Sequence, residues 1–125
     1  MNNSDLQNKI EEVFEELINA NESIPIIVEG KNDEFALRKL GVRGLILRLN
    51  TGQSILNFCE DVARSYNEVI LLTDWDRKGK QLFNRLKKNF KFTRVKIIVN
   101  FWSDLKKYCS KEILEVEYLT KFLNQ

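Results

Sequence analysis

The chain has 125 residues, of which 43% are hydrophobic and 30% charged, and its net charge is +2. This is the size and composition of a single globular domain. No apolar run approaches the roughly 20 residues of a membrane helix, and the polar, acidic start does not have the form of a secretory signal. We therefore expect a cytoplasmic protein that does not associate with membranes.

Two residue types narrow the chemistry further. The sequence contains no histidine, which excludes histidine-based nucleophile systems and histidine-bound zinc. Its two cysteines, Cys59 and Cys109, lie far apart and without metal-binding spacing, so we predict reduced thiols. Any catalysis must then depend on carboxylates, lysines and an oxygen-liganded metal ion.

Short apolar runs alternate with amphipathic stretches along the chain. In chain order we predict a helix at Ser4–Ala20, a strand at Ile24–Val28, a helix at Asp33–Leu40, a strand at Leu45–Leu49, a helix at Ser54–Ser65, a strand at Val69–Leu72, a helix at Gly79–Asn89, a strand at Val95–Val99, and short helices around Ser103–Tyr108 and Val116–Leu123. This alternation predicts an α/β fold, with a roughly four-stranded, mostly parallel sheet and helices on both faces. We expect residues 1–22 to pack as an amphipathic helix on a domain formed by residues 23–125, which ends in a helical extension.

Acidic residues follow two of the predicted strands. Glu29 comes directly after the first strand, and Asp74 and Asp76 lie two and four residues after the third. In parallel sheets ligands collect at the carboxyl ends of the strands. Three carboxylates at one place repel one another unless a cation neutralises them, so the pattern predicts a Mg²⁺ site with Mn²⁺ as an alternative. Asp33 is more simply interpreted as the N-cap of the following helix, and Asp74 alone could be a turn residue.

The charge is distributed unevenly. The first 34 residues contain nine acidic and two basic residues, whereas Arg77 to Lys107 contains eleven basic residues and one acidic residue. A basic block of this density is typical of polyanion binding, although a solvated helix face is the plain alternative. Six of its cationic residues are predicted to contact nucleic-acid phosphates: Arg77, Lys78, Lys80, Arg85, Lys87 and Lys88.

Two motifs resemble those of the Toprim family, the domain shared by topoisomerases, bacterial-type primases, OLD-type nucleases and RecR repair proteins. The stretch Ile-Ile-Val-Glu-Gly-Lys-Asn-Asp is similar to the first motif, and Leu-Leu-Thr-Asp-Trp-Asp-Arg-Lys-Gly to the second. The resemblance covers about Ile24 to Val99. It implies a Toprim (Rossmann-like) fold, with Mg²⁺ held by Asp74 and Asp76 and with Glu29 as a general acid or base or as a further metal ligand.

The implied chemistry is phosphoryl transfer on RNA or DNA, of the nuclease or nucleotidyl-transfer type. Lys31 is then a catalytic residue that stabilises charge on the phosphate, a role also open to Arg77. The chain looks most like small stand-alone archaeal Toprim proteins and the Toprim portion of a ribosomal-RNA maturation ribonuclease. Lys78 and Lys80 stand where topoisomerases often carry a further acidic residue.

Other interpretations remain open at this point. One is a non-catalytic module that binds nucleic acid or a protein partner, as RecR-type relatives suggest, and a homodimer is compatible with it. Another is a receiver-type phosphate-signalling domain, against which the Glu-Gly-Lys strand end argues. Trp75 is expected to pack beside the site, with stacking on a nucleic-acid base as the alternative.

Overall fold

The computed structural model describes residues 3–109 and 115–123. Its strands are β1 (Ile26–Val28), β2 (Ile46–Arg48), β3 (Glu68–Leu71) and β4 (Lys96–Ile98). Its helices are α1 (Asn3–Asn21), α2 (Lys31–Lys39), α3 (Ile55–Ser65), α4 (Arg77–Phe90), α5 (Asn100–Cys109) and α6 (Leu119–Leu123). A 3₁₀ turn, Val116–Tyr118, leads into α6. None of the helices within these ranges is long and apolar enough to span a lipid bilayer.

The four strands form one sheet in the order β2-β1-β3-β4, and every neighbouring pair is parallel. The predicted α/β fold is thereby confirmed. The chain moves from β1 outward to β2 and then crosses back to β3 and β4. With right-handed crossovers, this reversal places α2 on one face of the sheet and both α3 and α4 on the other, and α3 does contact α4. The strand order reverses between β1 and β3.

The core is built from the strands and the apolar sides of the helices. All three residues of β1 are buried, as are the last three of β3, because both strands lie inside the sheet and are covered on both faces. Helix α1 contributes Ile10, Phe14 and Leu17 to the same core and contacts α5 and α6. The N-terminal helix therefore shares the core of the sheet.

Helix α2 begins two residues earlier than predicted. Its N-cap is Gly30, and Asp33 is the third residue inside the helix rather than the cap. The Asp33 carboxylate reaches back and accepts the N–H of Gly30 at 3.0 Å. The N-cap interpretation of Asp33 is thus wrong in position, because the polar Gly-Lys-Asn stretch gives no apolar period from which a helix start can be located.

Candidate metal and nucleic-acid site

A cavity of about 750 Å³ lies at the carboxyl ends of the central strands. This is where the strand order reverses, so the loops after β1 and β3 diverge and leave a crevice between them. Three of its lining residues are Glu29, Asp74 and Asp76. One carboxylate oxygen from each lies within 4.8 Å of the corresponding oxygens of the other two. The structure therefore brings together residues that are 45 and 47 positions apart in sequence.

Both aspartates also make hydrogen bonds to the protein backbone. Asp74, only 8% exposed, accepts the N–H of Val116 at 2.8 Å through Oδ1. Asp76 is the N-cap of α4, and its Oδ1 accepts the N–H of Gly79 at 2.7 Å. A Cβ added to Gly79 would lie 2.1 Å from the backbone oxygen of Asp74, so only glycine fits there. Each aspartate retains a second oxygen that these bonds do not use.

The local electrostatics disfavours three free carboxylates. Burial, assisted by the charges of Asp33, Glu29 and Asp76, raises the pKa of Asp74 to about 7. The pKa of Glu29 is raised chiefly by burial and then by the charges of Asp33 and Asp76. Among the described residues, Glu29 Oε1 is the one buried side-chain oxygen without a hydrogen-bond partner. A divalent, oxygen-preferring cation fits this donor set, because it would satisfy that oxygen and offset the repulsion.

The loop that carries the aspartates is fixed by aromatic residues. Trp75 donates its Nε1–H to the backbone oxygen of Trp102 at 3.0 Å, and Trp102 donates its own to the backbone oxygen of Thr73 at 2.8 Å. The ring of Trp102 stacks on Phe83 with 3.9 Å between centroids. Trp75 is only 1% exposed, so it packs beside the site as expected, and the alternative of stacking on a base is wrong. These bonds hold the loop rigidly against α5.

The predicted cationic residues fall into two groups. Lys78 and Arg85 line the cavity, because seven residues correspond to about two helical turns and place both on one side of α4. Lys31, in the first turn of α2, lines the cavity as well. The remaining four are exposed but are not among its lining residues: Arg77, Lys80, Lys87 and Lys88.

The C-terminal region supplies site residues that the sequence did not indicate. Glu115 and Glu117 line the cavity, and the charge of Glu117 helps to raise the pKa of Asp33, an effect that is due first to burial. The amide of Val116 contacts Asp74 from 42 positions away. Such a contact leaves no sequence signal, because a backbone N–H is present at every residue except proline.

This arrangement defines a class of protein: a parallel α/β domain with an acidic cluster, and cationic residues beside it, at the point where the strand order of the sheet reverses. The chain belongs to the Toprim family, whose domain matches residues 24–117, and the predicted family is thereby confirmed. Toprim domains generally bind divalent metal ions and are associated with nucleic acids. The matched range includes Glu115 and Glu117 of the cavity wall and the buried Val116 between them. The division into residues 1–22 and 23–125 stays a prediction.

The relatives of the chain include small archaeal proteins. It is 39% identical over 118 residues to a UPF0292 protein of Methanosarcina barkeri, covering 94% of this chain and 82% of the relative. It is 36% identical over 117 residues to a UPF0292 protein of Methanocaldococcus jannaschii, covering 94% and 91%. A solved structure of an Aquifex aeolicus protein superposes with a TM-score of 0.74 at 29% identity, covering 86% of this chain and 94% of that one.

Proposed function

We propose that this protein catalyses metal-dependent phosphoryl transfer on nucleic acid, as a nuclease or nucleotidyl-transfer enzyme, with Mg²⁺ as the resident ion and Mn²⁺ as an alternative. The observation that carries this proposal is the convergence of Glu29, Asp74 and Asp76 within 4.8 Å, in a cavity that Lys31 and Lys78 also line. The carboxylates suit a metal ion, and the adjacent cations suit phosphate oxygens.

Asp74 and Asp76 are the proposed metal ligands, each through the oxygen not used by a backbone amide. Glu29 is adjacent, with one buried and unpartnered oxygen. A bound divalent ion would supply neutralisation of phosphate charge and acidification of water. The rigid support of the aspartate loop by Trp102 keeps these oxygens in place before any ligand arrives, which is what a metal site requires.

Glu29 has a second proposed role, as the group that moves a proton. Burial and neighbouring carboxylates raise its pKa, and a carboxyl with a raised pKa exchanges a proton more readily near neutral pH. Such proton transfer contributes typically about 10²–10⁴-fold in rate. The proposal therefore gives Glu29 two roles. It is a general acid or base in the reaction, or it is a further ligand of the metal ion.

The cationic residues are proposed to bind the phosphate backbone. Lys31 and Lys78 line the same cavity as the carboxylates and would stabilise charge on the reacting phosphate. Arg85, further along the same side of α4, would hold a neighbouring phosphate. Because these contacts are to phosphates and not to bases, we propose sequence-tolerant binding of RNA or DNA.

The experiment that tests catalysis is incubation with labelled, structured RNA and DNA in Mg²⁺, Mn²⁺ or EDTA. We expect product from the wild type and from the control Glu60→Gln, which removes an exposed carboxylate of α3 that is not among the cavity-lining residues. The double variant Asp74→Asn/Asp76→Asn should give none, and EDTA should stop the wild type. Product that forms in EDTA, or from the double variant, would contradict the proposal.

A second candidate function is a non-catalytic module that binds nucleic acid or a protein partner. It is favoured by the backbone hydrogen bonds of Asp74 and Asp76, since these give both aspartates a structural role without a metal ion. Tight, salt-sensitive nucleic-acid binding with no product under any metal would support this candidate over the enzyme.

The salt dependence of binding tests the two cationic groups separately. Each phosphate contact to duplex DNA contributes about 0.9 to the slope of log affinity against log salt concentration. We expect Lys78→Glu/Arg85→Glu and Lys87→Glu/Lys88→Glu each to reduce the slope by about 2. An unchanged slope in the second variant would show that the nucleic acid contacts only the cavity side of α4.

A further inference from the structure

Residues 115–123, here named the C-terminal segment, are anchored next to the candidate metal site. Val116 and Leu119 are both 0% exposed and belong to the main core. The 3₁₀ turn contacts α2, and α6 contacts both α1 and α2. The segment is thus held by apolar packing against α2. The first turn of α2 also forms part of the cavity wall.

One buried hydrogen bond joins this segment to the acidic cluster. The backbone N–H of Val116 donates to Oδ1 of Asp74 at 2.8 Å. Bonds between an amide and an ionised carboxylate are stronger than those between neutral groups. Since the donor belongs to a backbone that packing holds in place, it restricts rotation of the Asp74 carboxylate about its side-chain bonds. The Asp74 carboxylate, one oxygen of which lies within 4.8 Å of oxygens of Glu29 and Asp76, is then held in the cluster.

We propose that Val116 is a positioning residue of the metal site, which acts through its backbone N–H on the carboxylate of Asp74. This inference rests on the proposed metal site and deepens it. Partners that orient a metal ligand typically change metal affinity by about 10–100-fold when they are removed. The coupling free energy between two interactions is the same in both directions. A bound metal ion should therefore also stabilise the packing of the C-terminal segment against the domain.

Proline at this position deletes the donor with little change to the backbone. Val116 is the first residue of the 3₁₀ turn, and Glu115 before it is already extended, with φ −123° and ψ 139°, as a residue before proline requires. Val116→Ala is the control, because it too removes the branched valine side chain but retains the N–H. The difference between the two variants reports loss of the hydrogen bond together with displacement of the Asp74 carboxylate by the proline ring, and the ester variant described below removes the N–H alone.

The measurement is calorimetric titration with Mn²⁺ and Mg²⁺. We expect Val116→Pro to bind each ion about 10–100-fold more weakly than Val116→Ala, although alanine removes more buried carbon atoms than proline does. Equal affinities would overturn the inference while leaving the metal site intact. If the wild type binds no metal ion, the proposed function itself fails, which is a different and separate result.

A semisynthetic variant covers the case in which the proline variant does not fold. Ligation at Cys109 of a synthetic peptide spanning residues 109–125 gives the full chain with an ester in place of the Val116 amide. The ester removes the N–H and keeps the valine side chain. We expect the same loss of metal affinity, and we also expect hydrogen exchange of the Val116 amide in the wild type to slow on addition of Mg²⁺. Wild-type metal affinity in the ester variant, or unchanged exchange at saturating Mg²⁺, would overturn the inference.

Discussion

Replacing Asp74 by asparagine should stabilise the metal-free protein above neutral pH. The pKa of Asp74 is raised, first by burial, to about 7, from an ordinary value of 3.8. The unfolded chain therefore loses this proton near pH 4, whereas the folded chain retains it until about pH 7. Between these values the folded state binds more protons than the unfolded state, so its stability falls as pH rises. The asparagine variant does not titrate and avoids this loss.

The magnitude follows from the size of the pKa difference. One pKa unit corresponds to about 1.4 kcal/mol, which places the upper limit near 4 kcal/mol at pH 8, and relaxation around the carboxylate reduces this to roughly 2 kcal/mol. For a chain of this size that is of the order of 5–10 °C in Tm. The side-chain oxygen of asparagine can still accept the N–H of Val116, so that hydrogen bond need not be lost.

The assay is thermal unfolding in EDTA from pH 4.5 to pH 8, with Glu60→Gln as the control. The difference between Asp74→Asn and wild type should be smallest at pH 4.5 and grow toward pH 8. Saturating Mg²⁺ at 100 times its Kd should then stabilise the wild type by about 2.7 kcal/mol and the variant much less. Parallel pH curves, or a variant less stable than wild type at pH 8 in EDTA, would refute this reasoning.

Three further experiments test the support of the aspartate loop and the burial of a thiol in α3. Trp102→Phe deletes the N–H donated to the backbone oxygen of Thr73, and should cost about 1–3 kcal/mol in unfolding free energy and weaken Mg²⁺ binding in calorimetry. Gly79→Ala places a Cβ 2.1 Å from a backbone oxygen, whereas Gly30→Ala meets nothing within 4 Å, so only the first should lower Tm markedly. Burial raises the pKa of Cys59 to about 11, so alkylation at pH 8, followed by mass spectrometry, should be slow until denaturant is added.

Much of the fold could be predicted because its signals are local. Each strand is a short apolar run between polar stretches, and each run is visible in the sequence without any contact information. The strand–helix alternation then leaves a parallel sheet as the simplest arrangement. Glu29 directly follows β1 and Asp74 lies three residues after β3, so their meeting at the carboxyl edge required only that β1 and β3 be neighbours, as they are.

Helix starts and helix faces were less accessible to prediction. The N-terminus of α2 depends on backbone geometry at Gly30 and on the carboxylate of Asp33, and several polar residues there would serve equally well. The basic block was a single feature in the sequence, but the turn of α4 directs Lys78 and Arg85 to the cavity and leaves Lys87 elsewhere. Because α4 begins at Arg77 and not at the predicted Gly79, Lys78 lies inside the helix and on the same side as Arg85, two turns further along.

The sequence by itself determined which residue types the candidate site contains: carboxylates after two strands, no histidine, and a cationic helix after the pair of aspartates. Only the tertiary structure decided what surrounds the carboxylates. The backbone N–H of Val116 and the carbonyl of Thr73 take part in the site, and every residue type carries a carbonyl while nearly every one carries an N–H. Their roles come from contacts between distant parts of the chain, which packing selects and residue identity does not encode locally.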